Sequence, residues 1–224
     1  MINMMQRALG IRKQLEPVAG NPVLLTFDDG PDPIVTGKVL NLLDEYNAKA
    51  VFFVVGDRIG KAPYMLTEVL QRGHIIGNHS HCHWLDKPPG LTEYLADLKQ
   101  CQSRIYDVCG YTPTLYRPPL GAITVAAILA ARRLNFELCK WSLDTNDWRM
   151  RDDHSAHNRG LEAAGEIQPC DILLMHDNNR HTPVLLQAML SKMQESDFDL
   201  TSFVNSRLTQ QYNSVHPVQV AVRE

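Results

Sequence analysis

The 224-residue sequence lacks several features that would place it in a special class of protein. Its 22 Lys and Arg are outnumbered by 25 Asp and Glu and form no basic stripe, which argues against nucleic acid as a partner. Its five cysteines are odd in number and have no CxxC spacing, so neither a disulfide framework nor a thiolate zinc site is predicted. The cysteines are therefore expected to be reduced.

Long apolar runs are also scarce. The first 20 residues lack the apolar core of about 7 to 15 residues that a secretory signal requires. No later stretch approaches the roughly 20 apolar residues of a membrane span, because the most apolar run, Ala50 to Val55, ends at Gly56. The sequence alone therefore predicts a cytoplasmic protein with no transmembrane segment.

What the sequence does contain is an alternation of short apolar runs with longer segments of helical period, the pattern of βα units around a parallel sheet. This alternation predicts an α/β fold in one domain, with a core between an N-terminal extension, 1–20, and a C-terminal tail, 206–224. The predicted strands are Val23 to Phe27, Ala50 to Val55, Ile75 to Asn78, Thr114 to Arg117, Phe136 to Ser142, Ile172 to Met175 and Phe198 to Phe203. The predicted helices are Ile34 to Asn47, Pro63 to Arg72, Leu91 to Val108, Thr124 to Leu134, His154 to Glu166 and Pro183 to Glu195.

Polar clusters follow the carboxyl ends of five of these strands, which is the edge where parallel α/β proteins build their active sites. The first is TFDDGPD, residues 26–32, with two adjacent carboxylates before a Gly-Pro turn. Two such charges raise the pKa of one carboxyl unless a cation lies nearby, so the pair indicates a metal or an arginine. Ordinary turn chemistry is the alternative explanation, since Asp, Gly and Pro all favour turns.

The second cluster is HSHCH, residues 79–83. His79 and His83 share a face both in a helix or tight turn and in a strand, so they are the predicted metal ligands, with His81 a supporting residue. Cys82 could bind a soft metal, but a site that includes a carboxylate favours imidazole and oxygen ligands. Two His and one carboxylate leave coordination positions open for catalysis, whereas a structural zinc site usually has four protein ligands.

The remaining clusters are RPPLG at 117–121, DTNDW at 144–148 and LLMHD at 173–177. Arg117 is predicted to pair with Asp28 in bidentate geometry and hold it ionised. His176 is a candidate general acid, with Asp147 favouring its protonated form, and Trp148 would form a wall of the site.

In this order, the five motifs resemble those of the polysaccharide deacetylase family, also called NodB homology domains or family 4 carbohydrate esterases. The resemblance covers about Val23 to Phe203, with the catalytic domain placed at 21–205. It implies a distorted, incomplete (β/α) barrel of about seven parallel strands. It also implies metal-assisted hydrolysis of an N-acetyl group, at the C–N bond of a linear amide, from an amino sugar in an oligo- or polysaccharide.

By resemblance, each motif residue takes a role. Asp29, His79 and His83 match the ligands of a divalent ion, with zinc favoured over cobalt, nickel or manganese. Asp28 matches the base that deprotonates the attacking water and Arg117 its orienting residue, while His176 matches the acid that protonates the leaving amine and Asp147 its partner. Leu120 stands where many members carry an aromatic, and its N–H matches a donor to the oxyanion; with Pro118 and Trp148 it is predicted to bind substrate.

Two other functions remain open at this point. The same site could remove a formyl or other acyl group from a soluble or lipid-linked amino sugar, or open a small amide. The chain could also be a catalytically silent saccharide-binding module, although both Asp28 and His176 are retained.

Overall fold

The computed structural model describes residues 10–18, 20–84 and 89–215. Within them, eight strands form one parallel sheet in the order β1-β6-β5-β4-β3-β2-β8-β7. The strands are β1 Ile11–Arg12, β2 Leu24–Gly30, β3 Ala50–Val54, β4 Ile75–Asn78, β5 Leu115–Tyr116, β6 Glu137–Cys139, β7 Leu143–Asp144 and β8 Ile172–His176.

Helices connect most of the strands, as the alternating sequence pattern predicts. They are α1 Val35–Glu45, α2 Gly56–Ile59, α3 Tyr64–Gln71, α4 Leu91–Cys109, α5 Val125–Arg133, α6 Asp153–Glu166, α7 Thr182–Met193 and α8 Ser202–Val215. All six predicted helices are confirmed to within a few residues at each end, and α2 and α8 are additional. No helix in the described part of the chain is both long and apolar enough to cross a membrane.

The connection between β6 and β7 shows that the sheet is strongly curled. β6 lies second from one end of the sheet and β7 lies at the other end, six strand spacings away. In a flat sheet that separation would be about 29 Å, at roughly 4.8 Å per strand. Only residues 140–142 join the two strands, and so short a segment spans at most about 14 Å. The sheet therefore curls until its ends approach, which gives the predicted distorted, incomplete barrel.

Side chains alternate between the two faces of the curled sheet. Along β2, Leu25 and Phe27 point outward into the core beneath the helices, where Phe27 stacks on Phe52 with ring centroids 5.1 Å apart. Leu24 points inward and packs with Phe53 of β3 inside the barrel. The inward positions continue up the strand to Thr26 and then to the polar end of β2, so the barrel interior leads directly to the predicted site.

Some strand predictions require correction. The segment Phe198 to Phe203 is not a strand, because it makes a single bridge from Asp199 to Pro22 and then enters α8. The predicted strand Phe136 to Ser142 is shorter, since it contains only β6, and β7 follows it as a separate strand. The predicted total of about seven strands is therefore eight.

The domain limits stay a prediction. Strand β1 nevertheless falls inside the predicted extension, 1–20, and pairs with β6. Helix α8 likewise runs into the predicted tail, 206–224. The other parts of these two segments at 1–9 and 216–224 lie outside the described residues.

Candidate active site

An irregularity at the end of β2 turns both carboxylates toward one place. Consecutive residues of a strand face opposite sides, yet the pairing of β2 with β3 slips between Asp28 and Gly30, and Asp29 adopts a left-handed backbone with φ 74°. As a result, His79 Nε2 lies 3.6 Å from Asp28 Oδ2 and 3.7 Å from Asp29 Oδ1. The adjacent carboxylates thus share one site.

The HSHCH segment continues β4 as a series of tight turns rather than as a helix or strand. Ser80 and His83 both have positive φ. The Asn78 side chain accepts a hydrogen bond from the Ser80 N–H at 2.8 Å, and Ser80 Oγ accepts one from the His83 N–H at 3.0 Å. This folding brings the rings of His79 and His83 to 5.2 Å apart, while His81 turns away.

The donor atoms of Asp29, His79 and His83 fit a divalent metal ion. They all lie within 4.8 Å of one another, and His83 Nε2 is 2.9 Å from Asp29 Oδ1. The main-chain carbonyl of Arg117 lies 2.7 Å from His79 Nδ1, which leaves Nε2 for a metal. Burial lowers the pKa of His79 and so favours the neutral imidazole that metals bind.

The pKa of Asp29 is also suited to a metal ligand. Burial raises the pKa of this carboxyl, but the close imidazole of His83 and the charges of His79 and Arg58 outweigh burial and lower it overall. Asp29 Oδ1 is nevertheless a buried oxygen without a well-formed hydrogen bond. An ionised carboxylate beside two imidazoles is a donor set that fits a divalent metal ion with open coordination positions.

Arg117 lies inside the barrel and ties Asp28 of β2 to the carboxyl end of β6. Its side chain is fully buried, and its guanidinium carbon lies 4.2 Å from the centre of the Phe53 ring. One nitrogen donates to Asp28 Oδ1 at 2.8 Å and to Thr26 Oγ1 at 2.7 Å. The other nitrogens donate to the carbonyls of Cys139 and Lys140. The contact with Asp28 therefore uses one nitrogen and not the bidentate geometry expected from the sequence.

His176 faces Asp28 across the boundary between β8 and β2, where the two residues are in register. The ring nitrogen Nδ1 of His176 lies 2.9 Å from Asp147 Oδ1. The main-chain N–H of His176 donates a hydrogen bond to Asp147 Oδ2 at 2.7 Å. Thr182 donates a further hydrogen bond to the same carboxylate at 2.6 Å. Asp147 is thus held by three donors, which orient it toward the imidazole.

A cavity of about 790 Å³ opens over these groups. Leu120, 66 % exposed, and Trp148, 45 % exposed, line it as the sequence predicts, whereas Pro118 is buried and does not line it. Further lining residues were not singled out from the sequence: Trp141, Asp144, Arg151, Leu174, Asn178, Asn179 and Arg180. The run of polar residues directly after His176 could have indicated the last three, but nothing local marks Trp141 or Arg151.

Asp177 is a further buried acid next to the site, besides Asp28 and Asp147. It is 1 % exposed, and its Oδ2 accepts a hydrogen bond from Thr36 at 2.6 Å. A Cβ atom placed on Gly30 would lie 2.2 Å from the same oxygen, so this carboxyl packs directly against the turn that follows Asp29. Burial and the charges of Asp29 and Asp28 outweigh the Thr36 hydrogen bond and raise the pKa of Asp177 to about 7.

Fold and site together define a class: an incomplete parallel α/β barrel with a two-histidine, one-carboxylate cluster and an Asp–His pair at its carboxyl edge. The model of the polysaccharide deacetylase family matches residues 16–139. The chain belongs to this family, as the five motifs predict.

Two sequence relatives and one solved structure show the extent of the similarity. The chain is 35% identical over 193 residues to a peptidoglycan-N-acetylglucosamine deacetylase of Bacillus cereus. This alignment covers 80% of this chain and 89% of that protein. It is 32% identical over 180 residues to PgdA, a peptidoglycan-N-acetylglucosamine deacetylase of Listeria monocytogenes, covering 80% of this chain but only 37% of PgdA. The chain therefore spans little more than a third of the length of the first curated relatives it matches. The structure of the peptidoglycan deacetylase PdaC from Bacillus subtilis matches with a TM-score of 0.74 and 28% identity, covering 90% of this chain and 98% of that one.

Proposed function

We propose that the protein hydrolyses the N-acetyl group of an N-acetylated amino sugar within an oligo- or polysaccharide, with the aid of a divalent ion. The observation that carries this proposal is the facing pair of Asp28 and His176 beside the ligand cluster. Family membership and the names of the relatives support a saccharide as the substrate.

Asp29, His79 and His83 would hold the metal ion, and a mixed nitrogen and oxygen donor set favours zinc, with cobalt, nickel and manganese as alternatives. When bound, the ion supplies Lewis-acid polarisation of the acyl carbonyl and makes water more acidic. The Asp28 carboxylate, fixed by Arg117, accepts the proton of the attacking water.

On the neighbouring strand β8, the protonated imidazole of His176 donates its Nε2 proton to the leaving amine. Because Nδ1 is held by Asp147, Nε2 is the nitrogen that is left for this transfer. The backbone N–H of Leu120, at the rim of the cavity, is proposed as a donor to the developing oxyanion. Leu120 and Trp148 offer apolar surface to the sugar ring.

The proposal is tested by assaying acetate release from chitooligosaccharides and peptidoglycan fragments, with formylated lipid-linked amino sugars as the alternative substrate. Asp28→Asn is expected to lower turnover at least about 100-fold while the metal content stays unchanged. His79→Ala is expected to lose both the activity and the metal. His157→Ala, on the exposed face of α6, is the control and is expected to keep the activity and the metal content of the wild-type protein.

Metal analysis of the purified variants separates the two roles. A His79→Ala protein that still carried a full equivalent of metal would remove His79 from the ligand set. Release of formate but not acetate by the wild-type protein would replace the acetyl group by the formyl group in the proposal.

A further inference from the structure

The HSHCH segment carries two potential ligands that the site described above does not use. His81 is buried, yet its ring faces away from His79 and places Nε2 2.9 Å from Asp57 Oδ1 at the start of α2. Cys82 follows it in the sequence and is exposed to solvent. One donor atom of each of these three side chains lies within 4.8 Å of the other two.

The main chain around these side chains is fixed by a buried carboxylate. Asp97 of α4 accepts hydrogen bonds from the N–H groups of His81 at 2.8 Å and Cys82 at 3.0 Å. The Asp57 N–H in turn donates to the His81 carbonyl at 3.1 Å. All three residues are therefore attached to one framework, which holds their side chains on the same side of the segment.

We propose that Asp57, His81 and Cys82 form a second divalent-metal site, separate from the catalytic cluster. An imidazole, a carboxylate and a thiolate form a mixed donor set that suits zinc and softer ions such as cadmium. Bonds of about 2.0 to 2.3 Å around a tetrahedral ion require donors roughly 3.5 Å apart, which these side chains reach by small rotations. Solvent supplies the fourth position.

The site binds metal by exchange for a proton. A bound cation would replace the thiol proton of Cys82, which leaves to water, and the carboxylates of Asp97 and Asp57 lie close by. The same two carboxylates favour a dication at this place. A bound ion would join α2 to the segment that carries His79 and His83, and so hold the catalytic ligands from behind.

Cobalt titration tests the proposal, because cobalt bound to thiolate has a ligand-to-metal charge-transfer band that oxygen and nitrogen ligands do not give. The metal-free wild-type protein is expected to bind two equivalents of cobalt and to develop this band. Cys82→Ser should abolish the band and bind one equivalent, and Asp57→Asn should weaken cobalt binding at this site at least tenfold. Cys170→Ser changes a partly exposed cysteine elsewhere in the chain and is the matched control. It should keep the charge-transfer band and bind two equivalents of cobalt.

The variant Asp29→Ala tests whether the two metal sites are independent. It removes a ligand of the catalytic cluster but should retain the thiolate band. Absence of the band in the wild-type protein at saturating cobalt would overturn the second site, and so would its persistence in Cys82→Ser. Either result would leave the proposed hydrolase unaffected, since hydrolysis depends on Asp28, His176 and the first cluster.

Discussion

At the scale of single residues, Asp147 determines the proton affinity of His176. Burial by itself lowers the pKa of this imidazole, but the hydrogen bond and charge of Asp147, together with the charges of Asp28 and Asp29, raise the pKa to about 9. His176 is therefore protonated at neutral pH in the metal-free protein. That is the state in which an acid donates to a leaving amine.

Replacing Asp147 is expected to shift the pH dependence of the reaction. In Asp147→Asn the imidazolium loses its neighbouring negative charge, so the pKa of His176 falls by about 1 to 3 units. The alkaline limb of the kcat profile should move to lower pH by the same amount, measured between pH 6 and pH 10. Asp153→Asn, at the exposed carboxylate that accepts from His181, is the control. If the alkaline limb does not move in Asp147→Asn, the limb reports the pKa of a group other than His176.

The sequence predicts the residue types of the site better than their arrangement. The adjacent carboxylates of Asp28 and Asp29 and the spacing of His79 and His83 are local signals, and the structure brings all four together. The left-handed backbone at Asp29 could not be read from the sequence, because Asp adopts this conformation only occasionally. Trp141 is equally hidden, since its place depends on the path of the β6–β7 connection.

At the scale of elements, the long periodic segments were predictable, whereas two of the three two-residue strands, β1 and β7, were not. Strands β1 and β7 have two residues each, so no alternation can reveal them, and only the register of the sheet defines them. The segment 198–203 has the apolar residues of a strand. Asp199, however, accepts hydrogen bonds from the N–H groups of Thr201 and Ser202 and so starts α8.

The turn after β2 depends on having no side chain at position 30. In Gly30→Ala, the new Cβ would collide with the buried carboxylate of Asp177, and we expect a loss of about 1 to 3 kcal/mol in the free energy of unfolding. Urea denaturation measures this. Gly165→Ala is a matched control in α6, where a Cβ meets no neighbouring atom, and it should be neutral or stabilising by up to about 1 kcal/mol. Equal effects of the two substitutions would contradict the predicted contact.

At the scale of the whole molecule, Arg117 connects β2, in the interior of the sheet, to β6, near one end of the sheet. It joins β2 to residues that lead from β6 to β7, so its loss should weaken the barrel as well as release Asp28. Arg117→Met would leave a buried carboxylate without its cation, at a cost of about 3 to 5 kcal/mol in the free energy of unfolding. Arg104→Met, on the exposed face of α4, should change it by less than about 0.5 kcal/mol. Chemical denaturation of both variants, metal-free, is the measurement.

The protonation of Asp177 should also make the free energy of unfolding of the metal-free protein depend on pH. Because folding raises the pKa of this carboxyl from its usual 3.8 to about 7, only the folded state keeps the proton between these values. Its contribution to stability is complete below about pH 4 and is lost as the pH rises through 7, by an amount on the order of 2–4 kcal/mol.

Asp177→Asn should therefore flatten the dependence of unfolding free energy on pH between 4 and 7. Asp107→Asn, at an exposed position on α4, should keep the wild-type slope. Denaturation curves at several pH values distinguish the two. A wild-type slope in Asp177→Asn would show that the carboxyl titrates normally.

The register that places Asp28 opposite His176 has a kinetic meaning. Asp28 and His176 lie at paired positions on neighbouring strands of a hydrogen-bonded sheet, so their α-carbons are about one strand spacing, roughly 4.8 Å, apart before any ligand arrives. In free solution, a carboxylate and an imidazolium would have to meet the same amide by collision. In the proposed reaction, the entropy of that encounter is lost once, during folding, and each substrate would meet both groups at an effective concentration that no solution of free acid and base can reach.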